Sequence, residues 1–192
     1  MKTLLHCCCG PCAAGALPQF RQAGYADLLA WFYNPNIQPW QEQAARRDSF
    51  HLLMEQEQIP YRIESAYPLE AWLQAVAAQP EQRCRYCYQS RLEAAARAAR
   101  EAGCPAYSTT LLISPYQNHE LLRELGEAYG KAYGLDFVYL DLRPGFRAGQ
   151  AEARQRGLYL QKYCGCIYSE KDRYRKQIDG AMKSHPTGVN DE

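Results

Sequence analysis

Apolar and polar positions along the chain alternate in two rhythms. Short runs dense in Leu, Tyr and Phe, at Thr3–Leu5, Leu28–Tyr33, Tyr61–Ile63, Ala106–Thr110 and Phe137–Leu140, predict strands, and the longer stretches between them carry helical spacing. Strand and helix therefore alternate from end to end. That order predicts an α/β fold, a three-layer sandwich around a mostly parallel sheet. The clearest helix is expected from about Tyr86 to Ala102, rich in Ala, with Glu93 four residues before Arg97 and Gly103 as its stop. Another is expected to open at Ser114-Pro115-Tyr116-Gln117, where Ser can cap, Pro suits a first turn and Gln completes a capping box. No internal repeat or linker breaks the pattern. Residues 1–184 are expected to form one domain, and the Pro, Gly, Asn and acidic residues of 185–192 a disordered tail.

Composition narrows the class. With 47% hydrophobic and 22% charged residues over 192 positions, the chain has the make-up of a folded globular protein with one core. No apolar run approaches the ~20 residues of a spanning helix, and the start, Met1-Lys-Thr-Leu-Leu-His-Cys7, lacks the apolar stretch of a signal peptide. A cytoplasmic protein that does not enter a membrane is expected. Nine cysteines in a reducing compartment point to metal binding or redox chemistry rather than to structural disulfides. The net charge of +1 conceals an asymmetry, since residues 143–183 carry ten Lys and Arg against four Asp and Glu. A basic segment of that kind can follow a phosphate backbone or can be a solvated helix face.

Seven of the cysteines fall into three groups: Cys8, Cys9 and Cys12 after the first strand, Cys84 and Cys87 at a helix start, and Cys164 and Cys166 near the end. A Cys-x-x-Cys pair at a helix N-terminus puts two sulfurs one turn apart where the backbone dipole favours thiolates. Four ligands complete either a zinc tetrahedron or a four-iron cluster, so at least three of the seven thiols need another task. Cys8 and Cys9 can reach one centre only if the chain leaves the strand direction before them, a turn for which Gly10-Pro11 is suited. Cys164 and Cys166, one Gly apart, suit either a strained, reducible disulfide or a second metal. Cys104 is expected to be a small buried residue. In open α/β sheets ligands bind beyond the carboxyl ends of the strands, which is where the first cysteine group, Asn34-Pro-Asn36 and Thr109–Ser114 fall. The sequence has no Walker loop, no dinucleotide fingerprint and no haem-attachment motif.

Five stretches together resemble one family, the QueH epoxyqueuosine reductases: His6-Cys-Cys-Cys-Gly-Pro-Cys12, Phe32-Tyr-Asn-Pro-Asn-Ile37, Arg83-Cys-Arg-Tyr-Cys-Tyr-Gln-Ser-Arg-Leu92, Thr109-Thr-Leu-Leu-Ile-Ser-Pro-Tyr-Gln117 and Tyr163-Cys-Gly-Cys-Ile-Tyr-Ser-Glu170. They occur in order over nearly the whole chain. The resemblance implies reductive removal of the epoxide oxygen of epoxyqueuosine at the wobble position of tRNA, giving queuosine. It also implies a fold related to the adenine-nucleotide α-hydrolases, with the cysteine loop in place of a pyrophosphate loop. By matching positions it makes Cys8, Cys9, Cys84 and Cys87 ligands of a four-iron four-sulfur cluster, Cys12 a ligand of an additional non-cluster iron, and Cys164 and Cys166 a redox-active pair. Position 7, usually aliphatic in the family, is Cys here, and Cys7 is read as a structural residue.

Partners follow from the same resemblance: tRNA carrying epoxyqueuosine, and an electron donor of the ferredoxin or flavodoxin kind. Tyr33, Asn34, Asn36, Thr110, Ser114, Arg173, Arg175 and Lys176 are the positions expected to meet the substrate, with Tyr33, His6 and Asp141 as residue types that could donate a proton. Two rivals are an iron-sulfur-dependent tRNA-thiolation enzyme, which would need ATP and lacks its loop signature here, and a zinc-binding module that recognises RNA.

Overall fold

The five apolar runs become the strands β1 (Thr3–Cys7), β2 (Leu28–Tyr33), β3 (Tyr61–Glu64), β4 (Ala106–Thr109) and β5 (Asp136–Phe137). The computed structural model describes residues 1–64 and 66–184, so the expected disordered tail at 185–192 lies outside the described residues. Every strand pairing is parallel and the order is β3-β2-β1-β4-β5. β1 and β4 are buried throughout, and so is β2 up to the half-buried Tyr33, which is why they read as unbroken apolar runs. The edge strand β3 alternates half-buried Tyr61 and Ile63 with exposed Arg62 and Glu64. The expected fifth strand is cut short. Past the Tyr107–Phe137 pair the ladder gives way to a side-chain bond, Ser108 Oγ donating to the carbonyl of Val138 at 2.7 Å.

Seven helices complete the described chain: α1 (Gly10–Gln22), α2 (Trp40–Glu57), α3 (Leu69–Ala77), α4 (Arg83–Glu101), α5 (His119–Tyr133), α6 (Phe146–Gln155) and α7 (Ile167–Ser184). α1 packs against α2 and α6, and α4 against α5, so helices flank the sheet in the expected three layers. Leu4, Leu5, Leu17, Phe20, Phe32, Phe50 and Tyr107 fill the interior between them. The crossing of α1 with α6 is close because both contribute Gly. A Cβ on Gly149 would lie 2.5 Å from Gly15 Cα.

Two helix starts differ from expectation. α4 begins at Arg83 rather than near Tyr86, which places Cys84 and Cys87 inside its first turns. α5 begins at His119 rather than at Ser114-Pro115, because Asn118 takes the cap, its Oδ1 accepting from Leu121 N at 3.0 Å. Ser114 instead ends a short 3-10 turn over Thr110–Ile113 and accepts from Tyr116 N at 3.3 Å. Gln117 does not close a capping box; it accepts from Tyr88 Oη at 2.7 Å.

In this strand order β1 runs on to β2 and β3 on one side while β4 and β5 extend the other, so a crevice opens between the loops after β1 and β4. Those loops carry the first cysteines and Thr110. None of the helices among the described residues is long and apolar enough to cross a membrane.

Candidate metal and substrate site

β1 ends at Cys7, the chain turns at Cys8, and Cys9 caps α1 with its sulfur accepting from Cys12 N at 3.4 Å. The turn comes two residues after His6 and brings both sulfurs to the same side, 3.7 Å apart. Gly10 allows it, since a Cβ there would sit 2.5 Å from Ser49 Oγ and 2.6 Å from the Ser49 carbonyl. Cys8, Cys9 and Cys12 are buried, with their sulfurs within 4.8 Å of one another. Among the described residues they are the one such group of three or more His, Cys, Asp or Glu. Cys7 lies apart from it in the core, its thiol on the carbonyl of Leu5 and its pKa pushed up by burial.

The three thiols are not equivalent. Hydrogen bonds from Cys12 and Cys9 pull the Cys8 pKa well down against the cost of burial, with Thr110 Oγ1 donating to its sulfur at 3.4 Å. Thr110 Oγ1 also accepts from Cys8 N at 3.1 Å. The partner thiols move the other way, Cys9 through burial and Cys12 through its bonds to Cys8 and Cys9. The N-terminus of α1 adds its positive dipole end to the same place.

The last cysteine loop folds over this group. Gln161 Nε2 donates to Cys9 Sγ at 3.1 Å and to Cys12 Sγ at 3.5 Å. Arg46, from the middle of α2, donates to the carbonyls of Tyr163 and Cys164 at 2.8 Å each and pairs with Glu42 at 2.7 Å. Gly165 has φ +148° and its carbonyl accepts from Gln38 N at 2.9 Å, which joins the loop to the segment after β2. Cys164 is exposed and Gln117 Nε2 donates to its sulfur at 3.6 Å, whereas Cys166 is buried. Both are free thiols, as are the other seven cysteines.

Cys84 and Cys87 stand with that loop. Cys87 packs with Trp72, Val76 and Cys166, accepts from Trp72 Nε1 at 3.4 Å, and has its pKa pushed up to about 11 by burial. Cys84 is exposed at the start of α4, its thiol raised chiefly by desolvation. Neither sulfur falls within the tight group of the first loop.

A cleft of about 710 Å³ runs between the loops, lined by Cys8, Cys12, Thr110, Ser114, Gln161 and Cys164 and by the cations Arg46, Arg91, Lys162 and Arg173. Of the expected substrate positions, Thr110, Ser114 and Arg173 therefore line it. Tyr33, Asn34 and Asn36 lie at and after the end of β2; Asn34 Nδ2 donates to the carbonyl of Cys7 at 3.0 Å, and Tyr33 stacks on Trp31. The Oδ1 atoms of Asn34 and Asn36 are buried without a hydrogen-bond partner among the described residues. Arg175 pairs with Asp172 on α7 at 3.1 Å, and Lys176 lies on the exposed part of that helix.

Two of the three expected proton donors take other roles. Burial lowers His6 to about 4, so it is a neutral brace between Thr109 Oγ1 at 2.8 Å and the Tyr33 carbonyl at 2.9 Å. Asp141 is held at about 2 by Arg143 and is ionised at neutral pH. Arg46, Gln161, Gln117 and Trp72 were not among the expected site residues. Arg46, Gln161 and Trp72 are ordinary residues within helical or loop patterns that no local signal marks, whereas Gln117 ends one of the five family-like stretches.

Residues 3–172 match the protein family described as epoxyqueuosine reductase QueH. A relative of that name from Dehalococcoides mccartyi is 35% identical over 175 residues, which are 91% of this chain and 96% of the relative. Another from Thermotoga maritima is 31% identical over 189 residues, 94% of this chain and 96% of the relative. Among solved structures, the zinc-inhibited form of teicoplanin deacetylase Orf2 aligns with a TM-score of 0.44 and 11% identity, over 97% of this chain and 94% of that one. A likeness so loose carries no argument.

Proposed function

Since the chain belongs to the epoxyqueuosine reductase QueH family, we propose that its cleft reduces the epoxide of epoxyqueuosine in tRNA to the alkene of queuosine, using iron held by its cysteines. The reaction takes up two electrons and two protons and releases the epoxide oxygen as water. The observation that carries the reading is the buried Cys8–Cys9–Cys12 group on the wall of a cleft with room for a nucleobase and its substituent.

The donor set fits iron and sulfur. Thiolates are soft ligands that suit iron-sulfur clusters and zinc, and the thiols of the first loop are buried, close and hydrogen-bonded. Cys8, Cys9, Cys84 and Cys87 would hold a four-iron four-sulfur cluster and Cys12 a further iron. When bound, the cluster would supply electrons singly and the further iron a Lewis acid beside the epoxide oxygen.

The protein's own side chains have separable tasks in this reading. Thr110 and Gln161 donate to the cluster-side sulfurs, and Arg46 holds the Tyr163–Cys164 backbone against them. Cys164, exposed on the cleft, and Cys166 form the redox pair: their oxidation to a disulfide releases two electrons and two protons, the number the epoxide consumes. A ferredoxin or flavodoxin would restore the thiols. Arg173, with Lys162, faces the phosphates of the tRNA.

Anaerobic incubation of the reconstituted protein with tRNA carrying epoxyqueuosine, followed by nucleoside mass analysis and an iron and zinc count on the same sample, tests this. Queuosine formed only by the iron-loaded protein is the expected result. A full iron complement without product would overturn the reading. Cys8→Ser, Cys9→Ser, Cys84→Ser and Cys87→Ser are each expected to lower bound iron, whereas Cys164→Ser should keep iron and lose turnover.

A further inference from the structure

One wall of the cleft carries chemistry that the reduction itself does not use. Tyr116 lines the cleft and is 84% exposed, whereas the nearby Tyr88, bonded through its hydroxyl to Gln117 and Asn118, is 4% exposed. Leaving a ring of that size in water does nothing for the fold. Its position is nevertheless held. Pro115 precedes it, Ser114 Oγ accepts from its backbone N–H at 3.3 Å, and its ring meets Phe146 in a T-shaped contact with centroids 6.1 Å apart and planes at 83°. Such a contact occupies at most one face of Tyr116 and leaves the other open. Lys162 and Arg173 share the cleft, are exposed, and make no ion pair among the described residues.

An anchored ring with a free face beside unpaired cations matches what single-stranded RNA loops need, since their unpaired bases stack on aromatic rings while cations follow the backbone. A protein partner would also cover an exposed Tyr, but two unpaired cations in the same cleft favour a polyanion. We propose that Tyr116 is the stacking platform for the unpaired base next to the modified nucleoside in the anticodon loop, with Lys162 and Arg173 contacting the flanking phosphates. This rests on the reading that the cleft takes tRNA. It places the neighbouring base on the β4 side of the cleft and leaves the Cys8–Cys12 side to the wobble nucleoside.

The test compares wild type, Tyr116→Ala and Tyr116→Phe as iron-loaded proteins, checked for equal iron content, binding a fluorescent anticodon stem-loop and reducing the corresponding tRNA. Stacking on one aromatic ring is worth about 5- to 150-fold in affinity. Tyr116→Ala is expected to weaken stem-loop binding about tenfold or more, with the loss in KM rather than kcat and with no change in the salt dependence. Tyr116→Phe should restore it, because the ring and not the hydroxyl stacks. Replacing Lys162 or Arg173 by Ala should instead flatten the salt dependence. Stem-loop affinity of Tyr116→Ala equal to wild type would overturn the proposal. So would a raised requirement for reduced ferredoxin or flavodoxin at unchanged RNA affinity, which would give the surface to the electron donor. If wild type binds no tRNA, the functional reading itself fails, and the two failures are thus distinguishable.

Discussion

Arg46 donates to the backbone carbonyl of Cys164 at 2.8 Å, tying the middle of α2 to the last cysteine loop. Its side chain is 2% exposed and its partner Glu42 7%, so both charges are out of water and each depends on the other. The Arg46 cation also lies within electrostatic reach of Cys9 and Cys8, where it favours thiolate. Replacing it by Met leaves the buried Glu42 carboxylate with Tyr159 Oη as its donor but without a counter-charge, and the Tyr163 and Cys164 carbonyls without the donors that Arg46 supplied. Arg46→Met is expected to cost ~3–5 kcal/mol in urea unfolding of the metal-free protein, and Arg46→Lys to recover only part, because an ammonium cannot span Glu42 and both carbonyls as a planar fork does. Unchanged unfolding midpoints would show that the loop is held by other contacts.

Gln161 offers a separate test of how the protein tunes its sulfurs. Hydrogen bonds to ligand sulfurs stabilise the more negative, reduced state of an iron-sulfur centre. Removing the bonds from Gln161 to Cys9 and Cys12 with Gln161→Leu should shift the midpoint potential of the iron-loaded protein downward. A redox titration followed by visible absorbance reads it, and an identical potential would end the assignment.

Stability should depend on pH through His6. Its folded pKa, about 4, is below the unfolded value of about 6.5 because the buried imidazole resists charging. The unfolded state therefore binds the proton first, and stability that is complete above pH 6.5 is lost as pH falls toward 4. The loss amounts to roughly 3 kcal/mol over that window. Urea midpoints of the metal-free protein at pH 7 and pH 4.5, with His6→Gln as the control that removes the dependence, check it.

The meeting of α1 with α6 leaves no room for a side chain. Gly149→Ala would press Cβ to 2.5 Å from Gly15 Cα, a backbone contact that cannot rotate away. A loss of about 1–3 kcal/mol is expected, measured by thermal unfolding. Since the chain runs from α6 directly to Gln161, the variant should also expose Cys9 and Cys12 to faster alkylation.

What the sequence could determine alone was local or repetitive. Four of the five strands fell close to where the sequence predicted them: burial on both faces leaves a continuous hydrophobic signature in β1, β2 and β4, and one-sided burial an alternating one in β3. The turn after the first strand was legible in Gly10-Pro11, and the ordered cysteine groups were enough to identify the family. Tertiary structure alone decided how those groups divide. Cys87, from the second group, stands with Trp72 and with Cys166 from the third, and neither Cys84 nor Cys87 joins the tight group of the first loop. It also decided that Asn118 and not Ser114 caps α5, and that Arg46 is buried while the adjacent Arg47 is only half-buried. The reason is distance along the chain. Arg46 reaches Cys164, and Gln161 reaches Cys9, across more than a hundred residues; such contacts depend on how α2 and α6 deliver their segments to one edge of the sheet, and no local spacing encodes that.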